Sequence, residues 1–272
     1  MISIIICSRD SAAATQASKN ILDTIGVEHE IIVIDNSKRA YGICEAYNLG
    51  AERSKYNLLC FMHEDLKMHT QNWGKIVAAI LADASIGLVG VAGSTYLLNS
   101  PSAWWHAGSR NVYINIIHTS ATQEKELMHK NPDSAQLPDV AVIDGVWMCT
   151  RKEVWEKSPF DTKILDEFHY YDLDYSLRVR NNAYRVCVTF DVLIEHFSLG
   201  TINASWVKNT LRFYKKYEAQ LPFGISAHSA ADNQATELQL LGHFISLLVK
   251  NKFPLKIIAK YLSHWVRLKA RL

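Results

Sequence analysis

Three apolar runs of strand length fall within the first 62 residues, at 2–7, 30–34 and 57–62, and each stops at polar residues. Segments of helical character at 12–25 and 41–54 separate them. Strand, helix, strand, helix, strand in this order predicts a largely parallel sheet with right-handed crossovers, because parallel neighbours need a long connection that returns over one face. The ends of the three runs then share one sheet edge: Ser8, Arg9 and Asp10, then Asp35, then His63, Glu64 and Asp65. Ligands of open α/β sheets bind outside the carboxyl ends of the strands, so chemistry is expected here.

A dinucleotide-binding sheet has the same layout, but the loop after the first run reads Ser-Arg-Asp-Ser-Ala-Ala-Ala and lacks the glycine fingerprint. Hydride transfer is therefore disfavoured. The same loop has one Arg and no Gly, which argues against a sugar-nucleotide pyrophosphorylase. With 29 Lys and Arg against 27 Asp and Glu, the net charge of +2 makes no case for a nucleic-acid partner. The five cysteines, Cys7, Cys44, Cys60, Cys149 and Cys187, show no C-x-x-C pair and read as buried thiols of a reducing compartment. No apolar stretch reaches the roughly 20 residues of a membrane span, and residues 2–7 read as a strand rather than a leader. The expected location is the cytoplasm, free or peripheral at the inner face of the membrane.

Further along, a helix is expected at 73–84 and a strand at 86–92. Between 93 and 138 the pattern breaks up, and an irregular segment of this length is commonly functional. Its Trp104 and Trp105 suit a sugar face and a core position equally. A strand at 140–149 carries Asp144, Gly145 and Trp147; a helix is expected at 175–182, and strands at 184–190 and 192–194 end in Glu195 and His196. From 205 the chain reads as helices, at 206–220, 236–250 and 256–272, so 1–204 is the expected catalytic domain and 205–272 a helical extension. The last helix gathers Ile257, Ile258, Tyr261, Leu262, Trp265 and Leu268 near one face, with Lys256, Lys260, Arg267, Lys269 and Arg271 elsewhere. Such a helix suits an anionic membrane surface, and it suits packing on the domain or on a second copy of the chain equally well.

Three landmarks in order, Ile32-Val33-Ile34-Asp35-Asn36-Ser37, Phe61-Met62-His63-Glu64-Asp65 and Tyr170-Tyr171-Asp172-Leu173-Asp174, resemble the inverting, family 2 type of nucleotide-sugar glycosyltransferase with the GT-A fold. The stretch from Phe168 to Asp174, followed by the stretch from Ile194 to Gly200, is similar to a branch of that family with an H-x-Y-D-x-D motif. The resemblance spans residues 2–200. It implies a hexosyltransferase-like enzyme moving a sugar from a nucleotide-diphosphate donor, a UDP-sugar by preference, to a glycan, lipid-linked or small-molecule acceptor in polysaccharide or glycosylated-metabolite synthesis.

The resemblance implies a divalent cation, Mn²⁺ or Mg²⁺, held by Asp65, His196 and His63. It implies nucleotide contacts from Ser8, Arg9, Asp35 and Glu64, with Asp35 accepting from the base, and Asp172 as the catalytic base. Asp174 and Trp147 are expected on the acceptor side, with a helix-cap role for Asp174 and core packing for Trp147 as alternatives. Two departures stand out: His63 replaces the usual first Asp of the metal motif, and Tyr171 replaces the usual Glu before the base. The rival reading is a non-catalytic GT-A scaffold that binds a sugar nucleotide or a protein.

Overall fold

The computed structural model describes residues 1–120, 122–165, 168–198, 200, 202–225 and 234–270. In chain order the elements are β1 (Ile2–Ser8), α1 (Ser11–Thr24), β2 (His29–Asp35), α2 (Ile43–Arg53), β3 (Leu58–His63), β4 (Leu66–Met68), α3 (Trp73–Leu81), β5 (Ile86–Gly90), β6 (Ala92–Ser94), β7 (Tyr96–Leu97) and β8 (Val112–Thr119). Then come β9 (Lys125–Lys130), β10 (Val142–Ile143), β11 (Trp147–Arg151), α4 (Lys152–Lys157), α5 (Tyr171–Asn181), β12 (Arg185–Val188), β13 (Ile194–His196), α6 (Ala204–Lys216), β14 (Phe223–Gly224), α7 (Gln234–Lys250) and α8 (Leu255–Lys269).

The main sheet has the order β12-β5-β11-β3-β1-β2. Ile2, Ile4, Ile5 and Ile6 are fully buried because β1 is an interior strand covered on both faces, which is why its sequence is apolar without alternation. Asp10 starts α1 by accepting from the backbone N–H groups of Ala12 and Ala13, leaving the end of β1 open to the sheet edge. On the other side α2 lies close on β1: a Cβ at Gly50 would stand 2.3 Å from Cγ2 of Ile5.

The pairs β1–β2, β1–β3 and β5–β12 are parallel as expected, but β11 runs antiparallel between β3 and β5. The single strand expected at 140–149 is in fact two. The chain leaves β10, turns where Asp144 Oδ1 accepts from the Val146 N–H at 2.9 Å, and joins the main sheet as β11.

The stretch expected to be irregular, 93–138, instead supplies much of a second sheet, ordered β10-β6-β8-β13-β4 with β9 along β8. β6 escapes a pattern reading because it has three residues and β9 because it is exposed along nearly its whole length, whereas β8 is eight residues long and mostly buried. Trp104 belongs to the core and Trp105 is 46% exposed.

In the extension, α6 is tied to the domain: Tyr214 Oη donates to the Ser100 carbonyl at 2.8 Å, and Asn209 Nδ2 to that of His169 at 3.1 Å. Helix α7 buries Leu241, Phe244 and Leu248, and Trp265 of α8 donates to the Leu238 carbonyl at 3.1 Å. Ile257, Ile258, Tyr261, Trp265 and Leu268 therefore pack inward, whereas Leu262, expected on the same face, stays 48% exposed. None of the described helices is long and apolar enough to cross a membrane.

Candidate active site

The parallel register sets Ser8 beside Asp35 and Cys7 beside His63, so the three strand ends do meet at one edge. Glu64 closes the first loop there. Its carboxylate accepts from Ser8 Oγ at 2.6 Å and from the backbone N–H groups of Arg9 and Asp10 at 3.0 Å each. Ser8 is only 4% exposed and Glu64 is committed to three donors, so both side chains clamp the loop at the edge where they are expected to meet a nucleotide. Arg9 and Asp35 remain exposed. The Arg9 guanidinium lies 5.8 Å from the centre of the Phe168 ring, and Ser37 donates its N–H to Asp35, holding that carboxyl below the usual range.

His63, Asp65 and His196 offer ligand atoms that all lie within 4.8 Å of one another. Pairing of the short strands β4 and β13 brings in His196: it stands opposite Leu66, and the Phe197 N–H donates to the Asp65 carbonyl at 3.1 Å. Neighbouring side chains on a strand point to opposite faces. Glu195, fully buried, accepts from Thr119 Oγ1 at 2.6 Å and pairs with Lys125 and His69 at 2.7 and 2.8 Å, which anchors β13 and turns His196 toward the cluster. Asp65 Oδ2 is 3.5 Å from His196 Nε2, and Oδ1 is 4.0 Å from His63 Nδ1. Burial alone would raise the Asp65 carboxyl, but His196, with His63 and Ser198, outweighs it and keeps Asp65 ionised. One anionic oxygen and two imidazole nitrogens form a donor set that fits a divalent cation.

Tyr171, the residue standing where the resemblance leads one to expect Glu, has a structural account. Its hydroxyl donates to the Gly145 carbonyl at 3.0 Å and lies 2.8 Å from His63 Nε2. A phenol has one proton, so with that proton on Gly145 its oxygen accepts from Nε2–H of His63. This leaves the Nδ1 lone pair of His63 facing Asp65. Gly145 is the residue that permits the contact, because a Cβ there would fall 2.2 Å from the Tyr171 oxygen. Burial above all lowers the His63 pKa, which favours the neutral ring that a metal ligand must be.

Asp172 follows Tyr171 on the first turn of α5 and is half-buried. Its oxygens accept from the backbone N–H groups of Gly145 and Leu173, both at 2.9 Å. Burial, then the nearby negative charge of Asp144, pushes its pKa up to about 7. Asp144 had no expected role, although an Asp-Gly pair at a strand break is a turn signal. Asp144 is held in turn by Trp104, whose Nε1–H donates to Oδ2 at 2.9 Å. His118 was also missed. It lies beside His196 through the parallel β8–β13 register, with ring centres 5.7 Å apart, and its buried Nδ1 has no hydrogen-bond partner among the described residues.

Trp147 and Asp174, expected on the acceptor side with core packing and helix capping as their alternatives, make these contacts. Trp147 is fully buried and packs edge-on against Trp73, so it belongs to the core. Asp174, 1% exposed, pairs with Lys216 and accepts from Tyr217 Oη at 2.8 Å, which ties α5 to α6.

A profile described as that of a glycosyltransferase-like family matches residues 3–221. No curated protein sequence matches significantly. Among solved structures, the chain is similar to GalNAc-T7 with UDP, GalNAc and Mn²⁺, at 10% identity and a TM-score of 0.55 over 92% of this chain. It spans 56% of the length of that chain. It is also similar to a mannosyltransferase from Pyrobaculum calidifontis in complex with GDP-Man and Mn²⁺, at 11% identity and a TM-score of 0.56, covering 98% of this chain and 79% of the other. Residues 1–349 of S. aureus TarS align at 12% identity and a TM-score of 0.50, covering 90% and 80% respectively. These likenesses establish the GT-A fold.

Proposed function

The chain belongs to the glycosyltransferase-like family, and from that membership and its GT-A fold we propose that it transfers a sugar from a nucleotide-diphosphate donor, by preference a UDP-sugar, to an acceptor hydroxyl with inversion at the anomeric carbon. The observation that carries the proposal is the approach of His63, Asp65 and His196 to within 4.8 Å at the edge that also presents Asp35 and Arg9. The solved neighbours that carry Mn²⁺ with UDP or with GDP-Man support the same chemistry.

Asp65, His196 and His63 would hold a divalent cation, Mn²⁺ in preference to Mg²⁺, which when bound stabilises the charge growing on the departing diphosphate. Asp35 accepts the ring N–H of uracil, and Arg9 lies within reach of the diphosphate. The acceptor oxygen attacks the anomeric carbon as the bond to the diphosphate breaks, and Asp172 takes the hydroxyl proton. A carboxylate poised near neutral pH suits that task, since it is both substantially ionised and basic enough to accept. Free thiols in Cys7, Cys44, Cys60, Cys149 and Cys187 support a reducing, cytoplasmic setting.

A thermal-shift titration with UDP, GDP and dTDP, each with and without Mn²⁺, tests the donor site, because a ligand that binds only the folded chain raises its melting temperature. UDP is expected to stabilise the wild type in the presence of Mn²⁺, and Asp65→Ala to abolish that shift. Absence of any nucleotide shift in the wild type would overturn the proposal.

A further inference from the structure

The net charge of +2 conceals a strong segregation. Residues 250–272 contain seven Lys and Arg (Lys250, Lys252, Lys256, Lys260, Arg267, Lys269 and Arg271) and no Asp or Glu, leaving 22 cationic against 27 acidic side chains, a net charge of −5, on residues 1–249. Within this basic segment α8 has two apolar faces. One packs inward through Tyr261, Trp265 and Leu268. The other is open: Leu255, Leu262 and Val266 are 83%, 48% and 54% exposed, and Val249 at the end of α7 is 58% exposed.

At about 3.6 residues per turn, positions 255, 262 and 266 form one ridge along the helix. Lys256, Lys260 and Arg267 then run along one flank of the ridge, and Lys269 lies on the other. Beside the cationic flank is a cavity of about 320 Å³ lined by Glu218, Lys260, Tyr261, His264, Arg267 and Leu268. Three of its six lining residues carry nitrogen groups suited to a phosphate.

We propose that this outward face of α8 docks on an anionic phospholipid bilayer, with Leu255, Leu262 and Val266 entering the interface and the lysines and arginine meeting lipid phosphates. Charge decides between a bilayer and a second copy of the chain. Two copies joined ridge to ridge would bring rows of like charge together, whereas a surface bearing anionic headgroups satisfies the apolar ridge and its cationic flanks at once. The proposal stands on α8 alone and is independent of the donor chemistry.

Flotation of the full chain with vesicles is the test, comparing phosphatidylcholine alone with phosphatidylcholine containing phosphatidylglycerol. The wild type is expected to float with the anionic vesicles only and to be released by salt. Lys260→Glu/Arg267→Glu is expected to weaken partitioning by roughly tenfold or more. Leu262→Asp/Val266→Asp is expected to abolish it at low salt. Both pairs are exposed, so circular dichroism and melting temperature should match the wild type. Failure of the wild type to bind, equal binding to both vesicle types, or retention by the two folded variants would overturn the proposal. So would a wild-type dimer that Leu262→Asp/Val266→Asp dissociates and that ignores vesicles.

Discussion

The two sides of the first turn of α5 show what the fold does with chemically identical groups. Asp172 and Asp174 are two residues apart, and both have carboxyls whose pKa burial raises. Asp174 turns into the domain, where Lys216, Tyr217 and Arg178 surround it, and it joins two helices. Asp172 has backbone N–H groups for partners and the carboxylate of Asp144 for a neighbour, so burial and a like charge together keep it basic. One carboxylate is paired and structural; the other is kept basic, as the proposed role of general base requires. Placement, not residue type, sets the two apart.

The largest expected effect is on the available side. Asp172→Asn should lower turnover by about 10²–10⁴-fold while UDP still shifts the melting temperature in the presence of Mn²⁺. Unchanged turnover would move the base to another residue, Asp144 first. The same variant sharpens the comparison through pH. Because the folded pKa of Asp172 is raised, the folded chain binds more protons than the unfolded chain between the ordinary carboxylate value of 3.8 and about 7. Stability from this group is thus present below that window and lost as pH rises through it. Asp172→Asn should remove that loss, so urea midpoints of variant and wild type diverge toward neutral pH in favour of the variant. In the enzyme, turnover should fall as pH drops below about 7, in proportion to the ionised fraction.

On the structural side, Asp174→Ala should cost about 3 kcal/mol of unfolding free energy, since removing one partner of a buried pair strands the other. Lys216 keeps Asp161 at 2.8 Å, which limits the damage. Urea denaturation measures the loss, and the folded fraction should retain its kcat. A fall in kcat without a fall in stability would make Asp174 part of the site after all.

The smallest effect lies between the two, at Tyr171. Tyr171→Phe removes the oxygen that accepts from His63 Nε2–H and should weaken Mn²⁺ affinity by about 10–100-fold, as loss of an orienting partner of a metal ligand does. Calorimetric titration of the chain with Mn²⁺ reads this without any sugar transfer. An unchanged affinity would show that the tyrosine merely fills space.

Legibility followed the range of the interactions. The alternation of the first 65 residues and the sheet edge at Asp35, His63 and Asp65 were readable because strand and helix periods are local. Asp65, His63 and His196 were named together from a motif resemblance, and the β4–β13 pairing does bring them together. For Trp147 the core alternative fits its packing, and Asp174 turns into the domain, because the sequence cannot say which way a residue at an element's end will face. In the second sheet β10 falls within an expected run and β13 at the end of one, whereas β6 and β9 escape a pattern reading because one is short and the other exposed, and the sheet order itself joins segments far apart in the chain.

The sequence by itself determined the parallel core, the strand ends that carry polar groups, and the basic character of the last helix, all of which follow from local composition and period. Only the tertiary structure decided that His196 meets Asp65 across 131 positions of chain, that Tyr171 rather than a carboxylate steadies His63, and that Asp172 faces out while Asp174 faces in. Those outcomes depend on strand register and on the few ångströms that Gly145 leaves open, which are properties of pairs of distant segments and not of any one of them.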